Sequence, residues 1–198
     1  MRRKAPEDMR ATLIAHARAL FTERGFTGTA TEDIVIAAGI TRAGLLHHFA
    51  DKEDLFRAVF EELSGELVER VDGAIAGAKN GGDALRLGCH ARLDACLDPA
   101  VQRIVLLDGP SVLGWEEWRR IDARYGMRSL RTTVEGAMRA GAIPRQPVAP
   151  LALLLAGALN EAALDIASAP DRRAARRAVG KALDLLLDGL RRMVARDR

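Results

Sequence analysis

Few side chains in this sequence have the types and spacing that catalysis or metal binding requires. His47 and His48 are adjacent, and neighbouring residues of a helix point about 100° apart, so the two rings do not converge on one metal ion. Cys89 and Cys96 are seven residues apart, which favours two small core residues over a redox pair. No cysteine or carboxylate has the spacing to complete a ligand set. We therefore expect no metal site and no cofactor.

Catalytic motifs are also missing from the sequence. It contains no nucleophile elbow, no P-loop and no dinucleotide fingerprint. An enzyme built on this chain would have to use His90 or Asp108, which lie near the two tryptophans. A carrier of small molecules is a further class to consider. We expect a protein that is not an enzyme.

The most informative segment is Thr31–Phe49, with the sequence TEDIVIAAGITRAGLLHHF. Its apolar spacing predicts two short helices that cross steeply at a tight Ala-Gly-Ile-Thr turn, as in a helix-turn-helix. Pairs of packed helices without any binding role show the same pattern. The exposed face of the second helix would carry Arg42, Ala43, Gly44 and His47. Arg42 is suited to a bidentate contact with guanine, and the two small residues would allow close approach.

The elements around this segment are all predicted to be helical, since no stretch alternates with the period of a strand. We expect an all-α fold of about nine helices, with a helix-turn-helix head at residues 1–51 and a helical body at 52–198. Thr29 or Thr31 would cap the helix that starts near Glu32, whereas Thr41 and Asp51 would cap the next two. The remaining predicted helices are about 83–97, one from Pro99, 115–140, 150–167 and one from Asp171, with a turn-rich interruption at 108–114.

Composition and charge describe an ordinary globular protein. The 198 residues carry a net charge of +3, and 48% of them are hydrophobic. The charge therefore does not by itself indicate a nucleic-acid partner.

The longest nearly apolar run, Val148–Leu159, is too short for a membrane span and ends at Asn160. Nothing at the N-terminus looks like a signal peptide, so we expect a cytoplasmic protein without a membrane partner.

The N-terminal 60 residues resemble the DNA-binding domain of the TetR family of bacterial transcriptional regulators. The matching stretches are ARALFTERGFTGT and TEDIVIAAGITRAGLLHHFADKEDLF, in the order and spacing of that family. The closing pattern HHF-x-x-K-x-x-L-F is specific. The rest of the chain is similar in length and helical character to the ligand-binding and dimerisation half of such regulators.

This resemblance implies a homodimeric repressor that binds double-stranded operator DNA with a pseudo-palindromic sequence. Matched position by position, it assigns one group of residues to base edges, namely Arg42, Ala43, Gly44 and His47. It assigns a second group to phosphates, namely Thr31, Thr41, His48 and Lys52. Two positions depart from the family pattern. Leu46 stands where a tyrosine that reaches a phosphate is common, and Ala30 stands where a small polar cap is common.

The second half of the chain is expected to bind an apolar or aromatic small molecule and to form the dimer. Aromatic side chains on the helix after residue 114 suit one wall of a pocket, although core packing explains them equally well. The polar residues of the predicted site would orient the ligand. The predicted ligand residues are Asp108, Trp115, Trp118, Tyr125, Asn160 and Glu161. The last two helices would pair with their copies in the partner, and the predicted interface residues are Leu183, Leu186, Leu187 and Leu190.

Overall fold

The computed structural model describes residues 6–196, and every regular element in that range is helical. This confirms the predicted all-α fold. The elements are α1 (Pro6–Arg24), α2 (Thr31–Ala38), α3 (Arg42–Leu46), α4 (Lys52–Ala76), α5 (Gly81–Ala95), a π-helical segment (Val101–Asp108), α6 (Gly109–Arg124), α7 (Gly126–Arg139), α8 (Val148–Ser168) and α9 (Arg172–Arg196).

Side-chain caps start several of these helices where the sequence predicts them. The Thr41 hydroxyl accepts a hydrogen bond from the Gly44 amide at 3.1 Å, and the Asp51 carboxylate accepts one from the Asp54 amide at 2.7 Å. The predicted cap of α2 is wrong. Its N-cap residue is Ala30, because the Thr29 hydroxyl is buried and donates to the Gly25 carbonyl at 2.8 Å instead. The Asp33 carboxylate compensates by accepting from the Ala30 amide.

Contacts along the chain divide it into two compact units. The first contains the described residues up to Leu63 together with Pro99–Trp118, and the second contains Ser64–Asp98 together with the described residues from Arg119 onward. The sequence-based division at residue 51 differs from this, because the first part of α4 and the segment Pro99–Trp118 pack with the N-terminal helices. Helices α4 and α6 each contribute residues to both units.

The first unit has a core that three short helices cannot build alone. Leu13 and Phe21 of α1, Ile34 of α2 and Leu45 of α3 are fully buried. Helix α4 completes this core with Leu55, Phe56, Val59, Phe60 and Leu63, all at most 2% exposed. The rings of Phe21, Phe26 and Phe56 form a cluster with centroid separations of 5.3–5.8 Å. The apolar face of α4 is therefore a structural part of the head.

The second unit is a helical bundle around a larger core. Helices α5, α7, α8 and α9 contact one another, and the core contains Leu85, Leu93, Val134, Leu155, Ile166 and Leu187. By length and composition alone α8 would pass as a membrane span, but one face of it packs into this core. Cys89 and Cys96 are buried free thiols, and burial raises the pKa of Cys89 to about 11.

Two predicted boundaries in the middle of the chain are wrong. The predicted interruption at 108–114 is helical apart from Gly114, whose φ of 75° and ψ of 159° kink α6. The predicted single helix 115–140 is divided at Tyr125, which has φ −103° and ψ −84° and precedes the first residue of α7. The segment Val101–Asp108 is π-helical, a conformation that is often found at functional sites.

Candidate nucleic-acid interface

Helices α2 and α3 are joined by a tight turn that the sequence specifies locally. Gly39 ends α2 with φ 67°, a conformation that glycine adopts without strain. The Gly39 amide donates to the Ile36 carbonyl and the Ile40 amide to the Val35 carbonyl. Buried Ile34 and Leu45 hold the two helices together from the inside. The turn thus fixes which face of α3 points outward.

The outward face of α3 contains most of the residues predicted to contact DNA. Thr41, Arg42, Ala43, Leu46 and His47 are exposed, whereas Gly44, His48 and Thr31 are half-buried. Helix α3 is shorter than predicted and ends at Leu46, with His47 as its C-cap. A short helix with a fully buried Leu45 on one side and exposed residues on the other has the shape that enters a major groove.

Arg42 is the exposed arginine of this face, and it is ion-paired to α2. Its Nη1 donates to Glu32 Oε1 at 2.8 Å, and both side chains remain mostly in solvent. The rings of His47 and His48 meet edge to face at 5.1 Å. Among the described residues no group of three His, Cys, Asp or Glu side chains is arranged for a metal ion. The guanidinium and the two imidazole rings are groups that form hydrogen bonds.

Lys52 contacts backbone carbonyls. Its ammonium donates to the carbonyl oxygens of Phe26 at 3.0 Å and Thr29 at 2.9 Å, and it lies 4.1 Å from the centroid of the Phe26 ring. An ammonium has three N–H donors, so one is left for a phosphate oxygen. The predicted phosphate contact stays a prediction, whereas the contact with residues 26 and 29 gives Lys52 a structural role that the sequence did not indicate.

Asp108 is a second charged residue that bonds to the same turn. Its Oδ2 accepts from the Phe26 amide at 2.8 Å and from Arg103 Nε at 3.3 Å. A Cβ on Gly25 would collide with the Arg103 guanidinium, and Gly25 also has φ 73°. In the turn between α1 and α2, Phe26 therefore has a charged partner on its N–H (Asp108) and another on its carbonyl oxygen (Lys52). Asp108 is 82 residues from Phe26 in sequence, and no local pattern indicates this contact.

The other predicted ligand residues are divided between the two compact units. Trp115 and Trp118 stack at 5.3 Å in the first unit, with Trp115 largely exposed. The Trp118 indole N–H is buried and has no acceptor among the described residues. Tyr125, Asn160 and Glu161 belong to the second unit, where the Asn160 side chain accepts from Arg92 at 2.7 Å and Glu161 is exposed.

The predicted dimer residues are only partly available to a partner. Leu187 lies in the core of its own unit, and Leu183 and Leu190 pack against that core, whereas Leu186 is exposed. Leu187 is 3% exposed, so little of its side chain is available to a partner, and the interface itself stays a prediction. The large exposed apolar side chains of α8 and α9 are Leu153, Leu154, Leu185 and Leu186. Leu153, Leu154 and Leu185 are outside the predicted set. Helix α8 is apolar on nearly all sides and α9 has two apolar stripes, so periodicity does not tell which side of either helix faces the core.

The structure defines a helix-turn-helix protein. It has two short helices at a glycine turn, an exposed arginine at the start of the second, and a helical bundle formed by the later part of the chain. Residues 13–59 match the family described as bacterial regulatory proteins of the tetR family. Residues 82–190, more than half of the chain, match the tetracyclin repressor-like C-terminal domain. The chain therefore belongs to the TetR family of DNA-binding transcriptional regulators.

Individual relatives agree with this assignment. A TetR-family transcriptional regulator from Pectobacterium atrosepticum is 37% identical, with 96% of this chain and 97% of that chain covered and a TM-score of 0.81. The transcriptional repressor AcnR of Corynebacterium glutamicum is 35% identical over 33% of this chain and 35% of its own length. The Transposon Tn10 TetC protein of Escherichia coli is 25% identical over 58% and 57%. The matches to these two curated relatives thus span from a third to just over half of their length.

The contact of Lys52 with the turn gives a first prediction. Replacing Lys52 with Met should lower the free energy of unfolding by about 1–3 kcal/mol, because two carbonyl oxygens lose a charged donor. Denaturation in urea measures the change. Lys79→Met removes an equal charge from an exposed loop position and should leave stability nearly unchanged. Equal stability of the two variants would contradict the structural role of Lys52.

Proposed function

We propose that this chain is a homodimeric transcriptional repressor that binds a pseudo-palindromic operator and releases it when a small molecule binds. The observation that carries the proposal is the exposed α3 face, where Arg42 projects beside Ala43 and Gly44. Two such helices, one from each protomer, would occupy successive major grooves about one helical turn apart. Repression follows the name of the AcnR relative. The site of action would be the cytoplasm, where bacterial DNA lies.

Gly44 supports close approach of α3 to DNA. A Cβ built on Gly44 would meet the Thr41 hydroxyl at 3.5 Å and Ile40 atoms at 3.7 Å, which are ordinary contacts. The fold of the free chain therefore has room for alanine here. A bare backbone at this position instead leaves space for a base edge or a phosphate. Leu46, exposed on the same helix, would offer an apolar surface to a thymine methyl group in place of a tyrosine hydroxyl.

The exposed apolar face of α8 and α9 supports the dimer. These two helices contact each other, and their outward leucines include Leu154 at 72% and Leu185 at 68% exposure. Apolar side chains on two adjacent helices form a surface larger than isolated exposed leucines. A second copy of the same two helices would cover this surface through a two-fold axis and give a four-helix interface. The dimer is needed for a two-fold symmetric operator.

The stacked Trp115–Trp118 pair supports the ligand site. A buried N–H without an acceptor is costly, and the Trp118 indole has such an N–H. A ligand with an aromatic ring and a hydrogen-bond acceptor would stack on the tryptophans and satisfy this donor. Asp108, Asn160 and Glu161 are weaker candidates, since Asp108 and Asn160 already bond to protein groups and Glu161 lies on the exposed side of α8.

The base contact of Arg42 is tested by selecting bound duplexes from random DNA. Arg42→Ala should lose roughly 1–3 kcal/mol of binding energy and relax the preference at one position in each half-site, because the bidentate contact with guanine is gone. Arg119→Ala, an exposed arginine outside the head, is the matched control and should retain the wild-type preference. Identical sequence preferences for Arg42→Ala and wild type would contradict this role.

The dimer is tested by sedimentation. Leu185→Arg should convert the protein to folded monomers with much weaker operator affinity, because the pairing face would have to bury unpaired charges. Leu107→Arg changes another exposed leucine, outside α8 and α9, and should leave the dimer intact. A wild-type protein that sediments as a monomer at micromolar concentration would rule out this interface.

The ligand site is tested with a panel of small aromatic compounds, scored by tryptophan fluorescence and by release of the selected duplex. Trp118→Phe should abolish release by compounds that act on wild type while preserving operator affinity without them, because the indole donor is lost and the stacking surface becomes smaller. Loss of Trp115, which is exposed, should weaken the response less. Compounds that release DNA equally from wild type and Trp118→Phe would locate the site elsewhere.

A further inference from the structure

The ion pair between Arg42 and Glu32 joins the first residue of α3 to the first turn of α2. Its Nη1–Oε1 distance is 2.8 Å, and the side chains are 70% and 59% exposed. Exposed ion pairs contribute little to stability. This ion pair therefore adds little to the free energy of unfolding. Its main effect is on the orientation of the Arg42 side chain.

The pair leaves one edge of the guanidinium ready for a base. A guanidinium carries five N–H donors in a planar fork, and a bidentate contact with guanine O6 and N7 uses two of them side by side. With Nη1 donating to Glu32, the Nε–Nη2 edge remains for the guanine. A side chain that is already held also loses less rotamer freedom when it binds. Glu32 thus prepares Arg42 for one geometry.

The Glu32 carboxylate also disfavours the other contact that Arg42 could make, which is with a DNA phosphate. An arginine near DNA is attracted to phosphates, which carry no sequence information. A carboxylate beside the guanidinium lowers the net charge of the pair and is repelled by a phosphate. Contacts with the neutral base edge are disfavoured much less. The ion pair therefore increases the difference in binding free energy between guanine and the other bases, and it does not increase the total affinity for DNA.

We propose that Glu32 is a positioning residue that makes Arg42 selective for guanine. This inference rests on the proposed function, since it requires that α3 binds DNA. It assigns sequence selectivity to a residue of α2, outside the recognition helix and outside the set of residues predicted to contact DNA.

The test compares Glu32→Gln with Glu53→Gln by selection from random duplex DNA. Both residues are exposed acids in the first turn of a helix in the head, Glu32 in α2 and Glu53 in α4. The two changes remove the same charge and the same favourable position at a helix start. Both should raise binding to non-specific DNA to a similar extent. Only Glu32→Gln should lower the preference for guanine at the Arg42-dependent position, by about two- to fivefold, as expected for an exposed ion pair.

A coupling measurement separates positioning from a general effect. In an Arg42→Ala background, Glu32→Gln should produce no further change in base preference, because there is no guanidinium to orient. An unchanged guanine preference in Glu32→Gln alone, an equal loss in Glu53→Gln, or the same loss in the Arg42→Ala background would each overturn the inference. If the wild type enriches no sequence at all, the proposed function fails instead. Matching thermal unfolding of all variants would show that the head remains folded.

Discussion

The head of this protein depends on how the turn between α1 and α2 is held. The Lys52 ammonium is bonded to the carbonyl oxygens of Phe26 and Thr29, and the Asp108 carboxylate is bonded to the Phe26 amide. Charge-assisted hydrogen bonds of this kind are stronger than neutral ones. They connect the turn to α4 and to the π-helical segment. Helices α1–α3 cover too little apolar surface to be stable alone, so these contacts and the apolar face of α4 make the head one structure.

The arrangement of α2 and α3 follows from this support. With α1 and the turn fixed, Ile34 and Leu45 pack inward. The turn between α2 and α3 then determines which face of α3 points outward. The functional groups of that face need no catalytic geometry. The proposed function instead requires a short helix that projects from a stable base, small residues that permit contact, and an arginine at the correct angle. Under the proposal for Glu32, its ion pair with Arg42 would set that angle.

Local features of the sequence predicted much of this structure, whereas contacts between residues far apart in the sequence were not predicted. Thr41, Gly39 and Asp51 act on residues within a few positions of themselves, so their roles were predictable from spacing. The contact of Asp108 with Phe26 crosses 82 residues, and no periodicity reports it. The cap of α2 was mispredicted for a different reason. The bond of the Thr29 hydroxyl to the Gly25 carbonyl is local, but the spacing of the sequence does not show that this hydroxyl is buried. Helix α9 has two apolar stripes, and only its packing against α5 and α8 shows that Leu187 is internal.

The central claim is that α3 reads guanine in the major groove from two protomers. Methylation interference on a duplex selected by the wild type tests it most directly, since dimethyl sulfate methylates guanine N7 in the major groove and adenine N3 in the minor groove. We predict interference at a guanine in each of two half-sites about one helical turn apart, and loss of that interference with Arg42→Ala. Interference confined to adenine N3, or to one half-site only, would contradict the account.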